Sequence, residues 1–128
     1  MDIVKISPEL LAMVGSQANA NTLLPFSREI FLLNIVVAGT SFCKEIDDIE
    51  PKLIPETVLK MRRDPKNEYD EQAIAIYFES VRIGWVPQEM NEIISRLMDA
   101  GKAFFCRVTS ASRKGTWLRI KAKIFMVE

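Results

Sequence analysis

The sequence predicts a mainly β domain with helices: a small, partly open barrel of about six strands, OB-like or SH3-like, with one clear helix before its last two strands. Three observations lead there. Short branched-aliphatic runs alternate with polar connectors, as in an antiparallel all-β chain. One segment, Pro87 to Gly101, carries a clear helical period. The closing segment alternates strictly, with Leu118, Ile120, Ala122 and Ile124 on one face and Arg119, Lys121 and Lys123 on the other.

Residues 1–30 read as an N-terminal extension. Ser7 is a natural N-cap, Pro8 suits the first helical position and Glu9 the first turn, so a short helix is expected through about Val14. "GSQANANT" then ends it. The domain proper spans 31–128. "EIFLLNIVVAG" is almost continuously apolar and predicts a buried strand. "TSFCKEIDDIEPKLIPE", with its prolines and acids, predicts irregular surface. "TVLKMRR" and "AIAIYFE" read as strands on either side of a long connector, and "VRIGWV" as a third with a bend at Gly84. In "PQEMNEIISRLMDAG", Pro87 sits in the first turn and Gly101 ends the helix. Met90, Ile93, Ile94, Leu97 and Met98 form one apolar stripe expected to face the barrel. "AFFCRVTSAS" and "TWLRIKAKIFMV", joined at "RKG", complete the strands.

With 48% hydrophobic and 27% charged residues over 128 positions, the chain has the makings of one globular domain with a real core. No apolar run approaches the ~20 residues of a membrane span. The first residues lack the basic-then-apolar pattern of a signal peptide, so a cytoplasmic protein is expected. Cys43 and Cys106, far apart and flanked by apolar residues, read as buried free thiols. The chain contains 0 histidines, which removes the Ser–His, Cys–His and Cys/His-zinc arrangements. No cofactor or metal is expected. The net charge is +0, yet residues 1–99 hold 16 acids and 10 bases while 100–127 hold 7 bases and no acid. Local fields, more than the total, govern anion binding.

The connector "RRDPKNEYDEQAIAI" is too long for a tight hairpin and contains no glycine. Asp64 precedes Pro65 and is pushed toward extended backbone, and Asn67 can bond its own backbone. Asp70 can cap the turn before the next strand. Tyr69, in a polar turn, has little reason to be core.

Taken together, "AGTSF" after an apolar strand, "RRDPKNEYDEQAIAIYF", and "RIGWVP" leading into a helix resemble the HIRAN domain in order and spacing, over roughly Ile35 to Val127. The resemblance implies an OB-like barrel with two helices which, in eukaryotic members, grips the free 3′ end of single-stranded DNA. In those members an aromatic pair follows the glycine of the first block, and the Asn, Tyr and Asp of the second complete the pocket. Those positions are Phe42, Asn67, Tyr69 and Asp70 here, with Arg63 of the "RD" pair nearby. The second aromatic is Cys43 in this chain, and Ser41 stands where eukaryotic members carry arginine. A carboxylate is unwelcome beside phosphates, but a terminal 3′-hydroxyl is a donor that an internal nucleotide lacks, so an aspartate suits a groove that reads an end.

Each residue also has a structural reading: Asp70 as a cap, Asn67 as a turn-former, Phe42 as core, Tyr69 as a lid, Trp85 and Trp117 as core or barrel edge. The Arg119/Lys121/Lys123 row is either a solvated face or a phosphate track. The chain contains no helicase or nuclease motor motif, so a helicase or nuclease would be a separate partner. The expectation is a non-enzymatic module for single-stranded DNA, its free 3′-OH ends in particular, in DNA repair or processing. The alternatives are a protein-interaction barrel without DNA binding and a carboxylate–metal nuclease using Asp64, Asp70 and Glu71.

Overall fold

The computed structural model describes residues 28–128, so the expected N-terminal helix lies outside the described residues. Six strands, β1 (Glu29–Val36), β2 (Val58–Arg63), β3 (Ile74–Phe78), β4 (Val81–Trp85), β5 (Ala103–Lys114) and β6 (Trp117–Val127), form one sheet in the order β1-β6-β5-β2-β3-β4. Every pairing is antiparallel. The alternation read in β6 holds: Leu118, Ile120, Ala122 and Ile124 are buried, while Lys121 and Lys123 are exposed and Arg119 half-buried. With Leu59, Ile74, Ile76 and Ile83 they make the core.

The expected barrel is corrected in one respect: the ladder is open, with β1 and β4 as its edges. The edges meet at one bridge just beyond β1, where Ala38 and Trp85 exchange two 2.8 Å backbone hydrogen bonds. Gly84 permits that approach. A Cβ there would stand 2.4 Å from the Ala38 carbonyl oxygen and 2.6 Å from Val37 Cγ1, so any side chain would push the edges apart.

Three further expectations are revised. The first strand is an edge, not a buried strand: Ile35 and Val37 face the core, but Phe31 and Asn34 are exposed. A bulge between Phe31 and Leu33 lets Leu32 and Leu33 both pack against the core while Phe31 points outward. The acidic connector is not irregular. It folds into a 3-10 turn (Thr40–Phe42), helix α1 (Ile46–Ile49) and a second 3-10 turn (Glu50–Lys52). Cys43, Ile49 and Leu53, spaced among the acids, are its buried anchors. Arg113 at the end of β5 holds the segment from outside, through Asp47 and, at 2.7 Å, Glu50.

The late helix, α2, runs Glu92–Asp99 after a 3-10 turn at Gln88–Met90. Its buried face is rotated from the apolar stripe. Asn91, Ile94 and Ser95 are buried, Leu97 and Met98 pack against the core, and Met90 and Ile93 are exposed at 43% and 73%. Asn91, the helix N-cap, is on the buried face, where its Nδ2 donates to Asp70 Oδ2 at 2.8 Å. Among the described residues no helix is long and apolar enough to cross a membrane.

Candidate nucleic-acid interface

The connector between β2 and β3 is held by its own side chains. At its base, Asp64 N–H donates to the Ala73 carbonyl at 2.9 Å. Asn67 organises the middle: its Oδ1 accepts from the backbone N–H groups of Tyr69 (2.9 Å) and Asp70 (3.1 Å), while its Nδ2 donates to Asp64 Oδ2 at 3.0 Å. Asp70 holds the exit, its Oδ1 accepting from Gln72 N–H (2.9 Å) and its Oδ2 from Asn91 Nδ2 (2.8 Å). Side-chain amides and carboxylates therefore do what glycine would do in a tighter turn. Tyr69, fixed through its backbone, has its ring 86% exposed.

Arg63 lies beneath this loop rather than on its open wall. Its side chain is 15% exposed, and it donates to the carbonyls of Ala73 (2.6 Å) and Glu71 (2.9 Å) and to Asp99 Oδ1 on α2 (2.9 Å). The guanidinium fork thus clamps the loop to the helix.

Beside the loop lies a cleft of about 460 Å³ between the Thr40–Phe42 turn and β4, lined by Gly39, Phe42, Cys43 and the run Ser80–Trp85. Phe42 is not core; it is 79% exposed. Gly39 has φ of 75°, and a Cβ on it would meet the Trp85 ring at 2.8 Å, so glycine lets the indole lie against the backbone. Arg82 covers that ring at 4.8 Å from its centroid. The indole Nε1 is buried without a hydrogen-bond partner, as is Asn91 Oδ1. Sequence reading assigned no ligand role to Trp85 or Arg82; the signal available was an aromatic directly after Gly84. Burial pushes the Cys43 thiol above its ordinary pKa, and the fully buried Cys106 thiol further still, so neither is a ready nucleophile.

Val86, which follows Trp85, donates its N–H at 3.0 Å to the carbonyl of Ile74, the first residue of β3 after the loop. Arg119, Lys121 and Lys123 lie apart from loop and cleft, on the outward face of β6. The charges are segregated by element. The strands carry Lys60, Arg62, Arg63, Arg82, Arg107, Arg113, Lys114, Arg119, Lys121 and Lys123 against a single acid, Glu29. The other described acids sit in loops, turns, helices and the C-terminus. Arg63, Arg107 and Arg113 pair with acids, whereas Arg119, Lys121 and Lys123 pair with no described carboxylate. Exposed aromatics, acceptors on the loop and a row of cations with no carboxylate partner among the described residues together suit a strand of nucleic acid.

The class this defines is a small antiparallel β domain with exposed aromatics on its connectors and cations on its strands. The model of the HIRAN domain matches residues 30–127, and the chain belongs to that family of DNA-binding domains. Two crystal structures share the fold. A protein from Lactobacillus plantarum superposes with a TM-score of 0.72 at 19% identity, over 80% of this chain and 98% of that one. The HIRAN domain of human HLTF gives a TM-score of 0.60 at 16% identity, over 77% and 78% of the two chains. None of the curated proteins matches.

Proposed function

We propose that this domain binds single-stranded DNA without catalysis of its own and reads a free 3′-hydroxyl end, serving a separate helicase or nuclease in cytoplasmic DNA repair or processing. The observation that carries the reading is the state of Asp70. Two hydrogen bonds fix its carboxylate in the loop wall, one on each oxygen. An ionised carboxylate has about four acceptor sites, so capacity remains for one further donor. The rings of Tyr69 and Phe42 are open to stack on terminal bases, and Asn67 and Arg63 set the loop's shape. Arg119, Lys121 and Lys123 supply phosphate contacts.

A charged acceptor bound to the terminal hydroxyl is worth about 1.5–3 kcal/mol. A 3′-phosphate removes that donor and sets like charge against the carboxylate. Titration of the protein with 3′-OH, 3′-phosphate and circular single strands tests this. Tighter binding of the 3′-OH strand, lost in a folded Asp70→Asn variant, is the expected result. Equal affinity for all three ligands ends the end-reading hypothesis. Asn is the better replacement than Ala because it keeps an acceptor for Gln72 N–H, and Asn91 can turn over to match it.

A further inference from the structure

We infer that the outward face of β1, β6 and β5 is a stacking platform for nucleotides several positions away from the end. The inference rests on the end-binding reading only for which part of the strand arrives there. Phe31, Phe125 and Phe105 occupy one register row across those three strands. Their rings are in contact, Phe31 edge-on to Phe125 at 5.9 Å and Phe125 stacked on Phe105 at 5.3 Å, and Phe31 is 48% exposed. The solvent face of an antiparallel sheet is ordinarily polar, so a row of three phenylalanines there, Phe31 exposed and Phe105 and Phe125 half-buried beneath Arg107, is a candidate contact surface.

The charges select it. Arg107 lies over Phe105 and Phe125 at 4.9 and 5.2 Å, and Lys123 lies over Phe31 at 5.8 Å. Glu29, the one strand carboxylate, is already engaged by Arg107 at 2.5 Å. An apolar protein partner would have to desolvate Lys121 and Lys123. A ligand of flat bases on a polyanionic backbone meets rings and cations alike.

The platform lies at the far end of the outward row of β6 from the turn that carries Phe42. From Phe125 the outward row of β6 runs through Lys123 and Lys121 to Arg119, in steps of about 6.7 Å. The next residue back, Leu118, accepts a 2.9 Å hydrogen bond from Thr40 Oγ1, in the turn that carries Phe42. Along β6, Arg119 and the phenylalanine row lie about 20 Å apart. On the end-binding reading, a strand that leaves the Phe42 turn and follows β6 therefore reaches the platform after about that length of cationic track.

The test is fluorescence anisotropy of the full chain with 5′-labelled oligothymidylates bearing 3′-OH, from about three to about ten nucleotides, within the range of single-domain site sizes. Wild-type affinity should climb to about six nucleotides and then level off. Phe31→Ala, at an exposed edge position, should weaken the longer ligands about tenfold, leave the trimer unchanged and keep the preference for 3′-OH over 3′-phosphate. Phe125→Leu, which preserves packing volume, should act in the same direction. Affinity flat beyond the trimer, or unchanged in both variants, overturns the platform while an intact end preference leaves the end-binding reading standing. Loss of end preference in wild type strikes that reading instead. A sedimentation shift in Phe31→Ala with unaltered oligonucleotide binding would identify the face as a contact between copies of the chain and also overturn the proposal.

Discussion

The Asp64–Ala73 loop and the β5–β6 hairpin solve opposite problems. The loop carries acids and amides and spends three of them on its own shape: Asn67 bonds Asp64 and the Tyr69 and Asp70 backbone, and Asp70 accepts from Gln72 N–H and Asn91. From β2, Arg63 donates to the Ala73 and Glu71 carbonyls and to Asp99. What remains at its surface is Tyr69, the exposed side chains of Lys66, Glu68 and Glu71, the spare acceptor capacity of Asp70 and a fixed shape. The hairpin gets its geometry from strand pairing and a buried aliphatic face, which frees its outward face for cations and aromatics. On the proposed function, the loop's polar side chains are spent on rigidity for reading shape, whereas those of the hairpin stay unspent for a backbone track. That division explains how a chain of zero net charge presents a basic surface.

The contrast can be broken at several points. The largest effect is expected from Gly84→Ala, which drives a methyl group into the Ala38 carbonyl where the sheet edges meet. A loss of about 3 kcal/mol or more is expected, read as a fall in melting temperature of more than roughly 10 °C. An unchanged melt would mean that the bridge contributes little.

Arg63→Met removes the clamp, takes the donor from the Glu71 carbonyl and leaves Ala73 only its bond from Asp64 N–H, at a cost of about 1–3 kcal/mol. Hydrogen exchange should speed up in the loop and spare β5 and β6. Uniform acceleration would mean that loop and hairpin are not separable in the way described.

Neutralising the track by Arg119→Gln, Lys121→Gln and Lys123→Gln should leave the fold intact and weaken binding to every sequence alike. Log K against log salt should become shallower by about 2, from roughly 0.7 per single-strand phosphate contact. A slope unaltered by the triple variant moves the track elsewhere. Tyr69→Ala should leave stability within about 0.5 kcal/mol. It should cost about 1–3 kcal/mol in binding while keeping the order of preference among ends. A change in that order would give the ring a role in reading the end.

Much of this was legible in the sequence because it follows from local rules. Period two fixed the faces of β6, and the Asn and Asp of the connector announced its turn chemistry. The misreadings came where a long-range contact overrode a local pattern. Of the stripe from Met90 to Met98, Ile94, Leu97 and Met98 do face the core, but the buried face also takes in Asn91, whose partner Asp70 lies 21 residues away in the loop, and leaves Met90 and Ile93 exposed. The acidic connector hid Ile49 and Leu53 because four-residue helices carry too little period to see. β1 read as buried because an apolar run does not reveal that Phe31 serves an outward face. The edge bridge was marked by one glycine alone, and the Trp85 cleft depends on that bridge.

The central claim is that the loop recognises the end and the strands carry the backbone. It is tested most directly by backbone amide NMR of the protein titrated with two otherwise identical hexathymidylates, one ending in 3′-OH and one in 3′-phosphate. With 3′-OH, amides of the Asn67–Gln72 loop and of the outward β6 positions should both shift. With 3′-phosphate the β6 shifts should persist and the loop shifts should largely vanish. Identical loop shifts with both ligands, or shifts confined to neither region, would contradict the division of labour on which the account stands.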